Sequence, residues 1–186
     1  MKNKLYLGLV HYPVYNKFNE VVKTSITNLD LHDIARSCLT FGVKKYYVIH
    51  PLESMKELVN KIMGFWESDI ARIYNKDRVD ALTILEHSYS IEDAIKAIVN
   101  QEQVAPIVIT TTAKRLDESI SFSKISSVIP ADKPVLLLFG TGNGLHEGVI
   151  KSSDFVLEPI SGPNEYNHLS VRSAVAIILD RLTSEE

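Results

Sequence analysis

The strongest constraint on this chain is an alternation. Short apolar runs with β-branched and aromatic residues recur at 4–11 (KLYLGLVH), 44–50 (KKYYVIH), 81–86 (ALTILE), 106–112 (PIVITTT), 135–139 (VLLLF) and 155–160 (FVLEPI). Segments of helical periodicity separate them. Strands that alternate with amphipathic helices build an α/β fold, a mostly parallel sheet with helices on both faces. Ligands on such sheets bind at the carboxyl ends of the strands.

The clearest helix is Leu29–Phe41, where Leu31, Ile34, Ala35 and Cys38 form an apolar stripe. Thr27 and Asp30 make a capping box at its start, and Gly42 is a natural stop. A helix follows Pro51 over Leu52–Trp66, with an extension toward Asn75. Ser90 and Asp93 form a second capping box ahead of DAIKAIVNQ. Asp117–Ser126 reads as a weaker helix and His146–Lys151 as a short one. The last helix runs from Asn167 or His168 to Leu182, with Leu169, Ala174, Ala176, Ile177 and Leu179 on or near its buried face. No repeat, low-complexity tract or Gly/Ser linker interrupts the pattern, so residues 1–186 read as one domain.

Hydrophobic residues make up 45% of the 186, enough for a proper core. The net charge of −3 lacks the basic excess of proteins that track phosphates, although a basic patch can sit on an acidic whole. One cysteine, Cys38, forms neither an intrachain disulfide nor a metal knuckle. That suits a reducing cytoplasm, and the thiol's place on the apolar stripe reads as core. MKNKLYLGLVHYP reads as a first strand and not a signal peptide. No apolar run approaches the ~18 residues of a membrane span.

The run 136–145, LLLFGTGNGL, ends in glycines at 140, 142 and 144. No Lys-Ser or Lys-Thr follows, as a Walker loop requires, and the spacing is not that of a dinucleotide fingerprint. A second strand, FVLEPI, ends in the loop SGPNEYNH, and a third, PIVITTT, ends in hydroxyls. Three strand ends with open backbone groups suit the edge of an uncharged heterocycle, so an adenosine-like ligand is expected in place of a phosphate. Asp30, His32 and Asp33 have the right types for metal ligands. Asp30 already serves the helix cap and no second cluster accompanies it, so no metal site is expected.

The C-terminal order of strand, FGTGNGL, short helix, DFVLEPI, YNHLSVRSA and long helix resembles the SPOUT superfamily of S-adenosylmethionine (SAM)-dependent RNA methyltransferases. More closely, it looks like a bacterial branch related to the tRNA (guanine-N1)-methyltransferases. GLVHYPVYNK, TSITNLDLHDIARSCLTFGV, LLLFGTGNGL and LEPISGPNEYNHLSVRSAVAIILDRL carry the likeness, which covers nearly the whole chain. The resemblance implies a C-terminal deep trefoil knot and a homodimer with its active site at the subunit interface. It also implies a SAM cofactor bent into the knot, S-adenosylhomocysteine as product, and a tRNA or rRNA substrate methylated on a ribose 2′-oxygen or a base nitrogen. Gly140, Thr141 and Gly142 match the first cofactor loop, and Leu157, Pro159 and Ile160 the second. His168, Leu169 and Ser170 match the start of the last helix, Ala174 its close approach, and Thr110 or Thr111 the neighbouring strand end. Arg36 matches an arginine that orients or activates the nucleophile. Asp30 stands where the ribose-methylating branch has asparagine, with Asn28 nearby, and Asn143 stands where relatives often carry an acid. Tyr166 is placed to stack on a target base, and Arg172 to face RNA or the partner subunit. His11 and Tyr12, at the carboxyl end of the first strand, either line the substrate cleft or pack under Pro13. Two rival readings are a non-catalytic SAM- or RNA-binding module and a metal-dependent hydrolase built on DLHD.

Overall fold

The computed structural model describes residues 4–164 and 166–184. In order, its elements are β1 (Leu5–Val10), β2 (Val14–Tyr15), β3 (Val21–Val22), α1 (Asn28–Thr40), β4 (Lys45–Ile49) and α2 (Glu53–Trp66). Then come α3 (Asp69–Tyr74), α4 (Lys76–Leu82), β5 (Leu85–Ser88), α5 (Ile91–Glu102), β6 (Ile107–Thr111) and β7 (Ser119–Ile120). The last elements are α6 (Phe122–Val128), β8 (Val135–Gly140), α7 (Glu147–Lys151), β9 (Phe155–Leu157) and α8 (Val171–Thr183).

Seven strands form one sheet in the order β5-β4-β1-β8-β6-β9-β7. Every pairing within it is parallel. A parallel sheet is covered on both faces, which is why its central strands are apolar without alternation. In β1, Leu5, Leu7 and Leu9 face one core with α1 and α8, while Tyr6 and Val10 face a second core with α5. Residues of β8 divide the same way: Val135, Leu137 and Phe139 against Leu136 and Leu138.

Several expected boundaries move, each for a local reason. The Ser68 side chain accepts from Ala71 N and that of Asn75 from Arg78 N, so the expected extension of α2 breaks into the capped helices α3 and α4. Ala81 and Leu82 then complete α4, and the strand expected at 81–86 begins only at Leu85. The helix expected over 117–126 divides. Ser119 and Ile120 pair with β9, and Glu158 Oε1 accepts Phe122 N at 2.8 Å to start α6. Ser170 caps α8 by accepting from Ser173 N, so His168 and Leu169 precede the helix and Leu169 is exposed. The buried face of α8 is Val175, Ile178, Leu179 and Leu182.

At the amino edge of the sheet, Glu102 accepts from Tyr6 Oη (2.6 Å), Lys44 Nζ (2.8 Å) and Lys4 Nζ. This ties α5 to β1 and to the residue preceding β4.

Candidate functional site

The order of β8, β6 and β9 sets the carboxyl ends of three neighbouring parallel strands side by side: Gly140, Thr111 and Leu157. The loops that follow them carry Thr141 and Gly142, then Ala113, then Pro159 and Ile160. Asn167 Nδ2 donates to Ala113 O at 2.9 Å and ties the loop after β9 to the loop after β6. Thus Thr111, Gly140, Thr141, Gly142, Leu157, Pro159 and Ile160 lie along one edge of the sheet, and the segment carrying His168, Leu169 and Ser170 joins it through Asn167.

An N-terminal hairpin that the sequence pattern did not suggest pins the glycine turn. β2 and β3 pair antiparallel and dock on residues 141–146. Asn143 N donates to Tyr15 O (2.7 Å), Tyr15 N to Gly144 O (2.9 Å) and His146 N to Pro13 O (3.1 Å). A methyl group on Gly140 would lie 2.6 Å from Leu145 N, and one on Gly142 2.7 Å from Tyr15 O. Gly142 and Gly144 have φ of +57° and +104°. Gly140 and Gly142 therefore admit the chain's own backbone, and the positive φ of Gly142 and Gly144 favours glycine at both. Asn143 finds its place through its main chain, whose amide closes onto the hairpin.

Side chains fasten the same junction. Thr141 Oγ1 donates to Val10 O (3.0 Å) and lies 2.5 Å from Thr24 Oγ1, which lies 3.1 Å from His11 Nδ1. One donor order satisfies all three contacts: His11 Nδ1–H to Thr24, Thr24 to Thr141, Thr141 to Val10 O. His11 Nε2 is then a bare acceptor, buried and without a protein partner among the described residues. Burial, reinforced by the neighbouring His50, pushes the His11 pKa down to about 4, so the ring is neutral at physiological pH. His11 is fully buried, whereas Tyr12 is 37% exposed.

The hydroxyls at the end of β6 turn inward. Thr110 Oγ1 meets Ser153 Oγ at 3.0 Å, and Thr111 Oγ1 donates to Leu138 O at 3.0 Å. By contrast, the backbone amides of Gly142, Ile160 and Leu169 find no protein acceptor among the described residues. Open main-chain donors beside the apolar Leu157, Pro159, Ile160 and Leu169 fit a flat heterocycle with an apolar face, and adenine is such a group.

On α1, Asp30 is buried. Its Oδ2 accepts from Thr27 Oγ1 (2.6 Å), and its Oδ1 pairs with Arg172 Nη1 (3.0 Å). Arg172 Nε also meets Asp33 Oδ2 at 3.4 Å, so Arg172 clamps α8 to α1 within its own chain. Arg36 lies six residues beyond Asp30, about 9 Å of helix farther from the carboxyl edge. It lines an open depression of about 350 Å³ with Asp33, Ser37, Thr40 and Phe41. No carboxylate pairs with it among the described residues. Tyr166 is 74% exposed, edge-on to His168 with ring centres 5.4 Å apart. Asp30 thus reaches the start of α8 and acts electrostatically on His11 at the glycine-turn junction, whereas Arg36 lies farther along α1 from the strand-end loops. His32 packs edge-on against Trp66 at 5.2 Å, and no group of three or more His, Cys, Asp or Glu is arranged to hold a metal among the described residues.

Sequence reasoning missed Thr24, Glu158, Asn167 and the hairpin. One cue was present for the hairpin: in VYNKFNEVV the Asn16 side chain accepts from Phe18 N and Glu20 N, and Asn19 has φ +60°. Asparagine is suited to both positions.

A family model described as SAM-dependent RNA methyltransferase matches residues 4–184, and the chain belongs to that family. A tRNA (guanine-N(1)-)-methyltransferase of Oleidesulfovibrio alaskensis is 41% identical over 97% of this chain. The chain spans 42% of the length of that relative. An uncharacterized protein of Aquifex aeolicus is 33% identical over 99% of this chain and 90% of its own. Among solved structures, the TrmH/SpoU tRNA modifying enzyme of Aquifex aeolicus shares the fold with a TM-score of 0.60 at 16% identity, covering 98% of this chain and 75% of that one. The chain is therefore a member of the SAM-dependent RNA methyltransferase family, and its α/β fold is that of the TrmH/SpoU enzyme.

Proposed function

We propose that residues 1–186 form one methyltransferase domain that acts as a homodimer in the cytoplasm and modifies tRNA, on a ribose 2′-oxygen or a base nitrogen. The convergence of Gly140, Thr111 and Leu157 at one sheet edge, with the glycine turn held rigid by the hairpin, carries this reading. A tRNA (guanine-N(1)-)-methyltransferase among the relatives supports tRNA over rRNA. The single buried thiol and the lack, among the described residues, of a helix able to cross a membrane support the cytoplasm.

When bound, SAM supplies a methyl group on a sulfonium and leaves as S-adenosylhomocysteine. Gly140, Thr141, Gly142 and Thr111 would form one wall of its site, and Leu157, Pro159 and Ile160 the other. His168, Leu169, Ser170 and Ala174 would close it. A trefoil knot fits the path of the chain: β9 lies beyond β6 from β8, the loop after it is tied to the loop after β6, and α8 then packs against α1.

In-line transfer needs the nucleophile held at about 3–3.5 Å from the methyl carbon and relieved of its proton. Arg36 offers a guanidinium to a developing oxyanion or a flanking phosphate. Its distance from the edge of its own sheet favours service in the partner subunit's site. Tyr166 is exposed enough to stack on the target base. Asp30 acts through Arg172, whose clamp fixes the start of α8.

Incubating the protein with methyl-labelled SAM and bulk cellular RNA, then digesting to nucleosides, tests the function. Label in a tRNA nucleoside is expected. Arg36→Ala should lower transfer by about 100-fold or more with cofactor affinity intact, in the range for one transition-state contact. Failure of wild type to bind S-adenosylhomocysteine in calorimetry, or to label any RNA, overturns the proposal.

A further inference from the structure

The carboxyl edge of the sheet continues past the glycine turn onto β1, β4 and β5. There it carries a band of rings and ammonium groups outside the residues proposed above to hold the cofactor. Tyr12 follows β1 and Tyr89 follows β5, with 37% and 40% of their surfaces exposed. Lys23 Nζ lies 4.6 Å from the centre of the Tyr12 ring, and Lys56 Nζ 5.0 Å from that of Tyr89. His50 and His87 fill the space between: His87 Nε2 is 2.9 Å from His50 O, and the His87 ring stands edge-on to Tyr89 at 4.9 Å. Burial holds both imidazoles below their usual range, helped by His87 and Lys23 at His50, and by Lys56 at His87. The band's positive charge is therefore that of its lysines.

One acid faces it. Tyr89 Oη donates to Glu53, and Lys56 Nζ lies 3.6 Å from Glu53 Oε1 and 2.9 Å from Tyr89 Oη. Lys23 has no carboxylate partner among the described residues.

We propose that this edge is the track along which an unpaired segment of the substrate RNA approaches the methyl donor. Tyr12 and Tyr89 stack on bases, and Lys23 and Lys56 meet the phosphates between them. The two tyrosines stand at strands two spacings apart, about 10 Å. Rings interleaved with cations are what single-stranded nucleic acid requires of a surface, and they act without reading sequence. Because β1 adjoins β8, a strand on this track ends at the glycine turn. Glu53 holds Lys56 and Tyr89 in place until phosphate displaces it. The proposal rests on the RNA-methyltransferase reading and adds the surface on which RNA lies.

Fluorescence anisotropy with a labelled single-stranded RNA of mixed sequence, in the presence of S-adenosylhomocysteine, tests it on the full chain. Tyr12→Ala and Tyr89→Ala should each weaken binding about 5- to 150-fold, while Tyr12→Phe and Tyr89→Phe should bind like wild type. Lys23→Ala with Lys56→Ala should make the plot of log affinity against log salt shallower by about 1.4. Glu53→Gln should strengthen binding, the opposite of a structural lesion. Calorimetry with S-adenosylhomocysteine should be unchanged in all of them. Wild-type RNA binding and methyl transfer with unaltered affinity in the tyrosine and lysine variants overturns this surface alone. Loss of dimer in sedimentation overturns it in favour of a subunit interface. Absence of RNA binding by wild type overturns both this proposal and the reading beneath it.

Discussion

Replacing Thr141 by valine isolates what holds the glycine turn. The side chain keeps its β-branched shape and loses its hydroxyl. Two contacts disappear, the donation to Val10 O at 3.0 Å and the 2.5 Å contact with Thr24 Oγ1. Val10 O keeps the Thr141 amide at 3.1 Å, and the Thr24 hydroxyl can turn toward His11 O at 3.4 Å. The loss is therefore about 1–2 kcal/mol, the net value of one to two hydrogen bonds. It falls on the junction between hairpin and turn, so it should appear in ligand affinity before global stability. At about 1.4 kcal/mol per tenfold, S-adenosylhomocysteine should bind roughly 5- to 30-fold more weakly in calorimetry. Thr141→Ser, which keeps the hydroxyl, should bind like wild type. A valine variant whose affinity stays within about twofold of wild type would show that the hydroxyl chain does not organise the cofactor wall.

Two further outcomes follow from ion pairs. Glu102 has a pKa lowered to about 2, first by the Lys4 and Lys44 ammonium groups and then by Tyr6. A carboxylate with a lowered folded-state pKa adds stability above its unfolded value near 4.5, and that stability is lost as pH falls through about 2. Both lysines are more than a third exposed, which screens the pairs, so Glu102→Gln should cost about 1–2 kcal/mol at neutral pH, or roughly 2–8 °C of melting temperature. The gap should close toward pH 2 in circular-dichroism melts; a gap that persists there refutes the assignment. Arg172→Met leaves Asp30 buried and unpaired, and should destabilise by about 1–3 kcal/mol. Adding Asp30→Asn should recover part of that loss, and strictly additive losses in the double variant would argue against the clamp.

The sheet was legible because its strands are buried on both faces and announce themselves as unbroken apolar runs, as VLLLF does. The caps at Thr27 and Ser90 were legible because a hydroxyl and a carboxylate three residues apart have few other uses. Residues 67–82 misled because Ser68 and Asn75 end one helix by starting the next, and a periodicity argument reads through both. Segment 117–126 misled because its fate rests on Glu158, a partner that only the folded chain supplies. The glycine turn was recognisable as a turn, yet its reason was not, since the backbone that crowds Gly142 belongs to Tyr15. Asp30 was noticed for its cap and for its position six residues before Arg36; the pairing of its carboxylate with Arg172 on the last helix is one that no local pattern carries.

The position of β1 inside the sheet, between β4 and β8, has a consequence for synthesis of the chain. One side of β1 is covered by β4 as soon as residue 49 is made, but its other neighbour, β8, begins at residue 135. At about 5–20 residues per second, the ribosome leaves that apolar edge bare for on the order of ten seconds. The hairpin at residues 14–22 waits longer still for residues 141–146. The half of the protein that we assign to RNA is thus made first and stays unfinished until the cofactor half arrives to close it. A nascent chain stalled before residue 135 should accordingly be a preferred client for chaperones that recognise extended apolar segments.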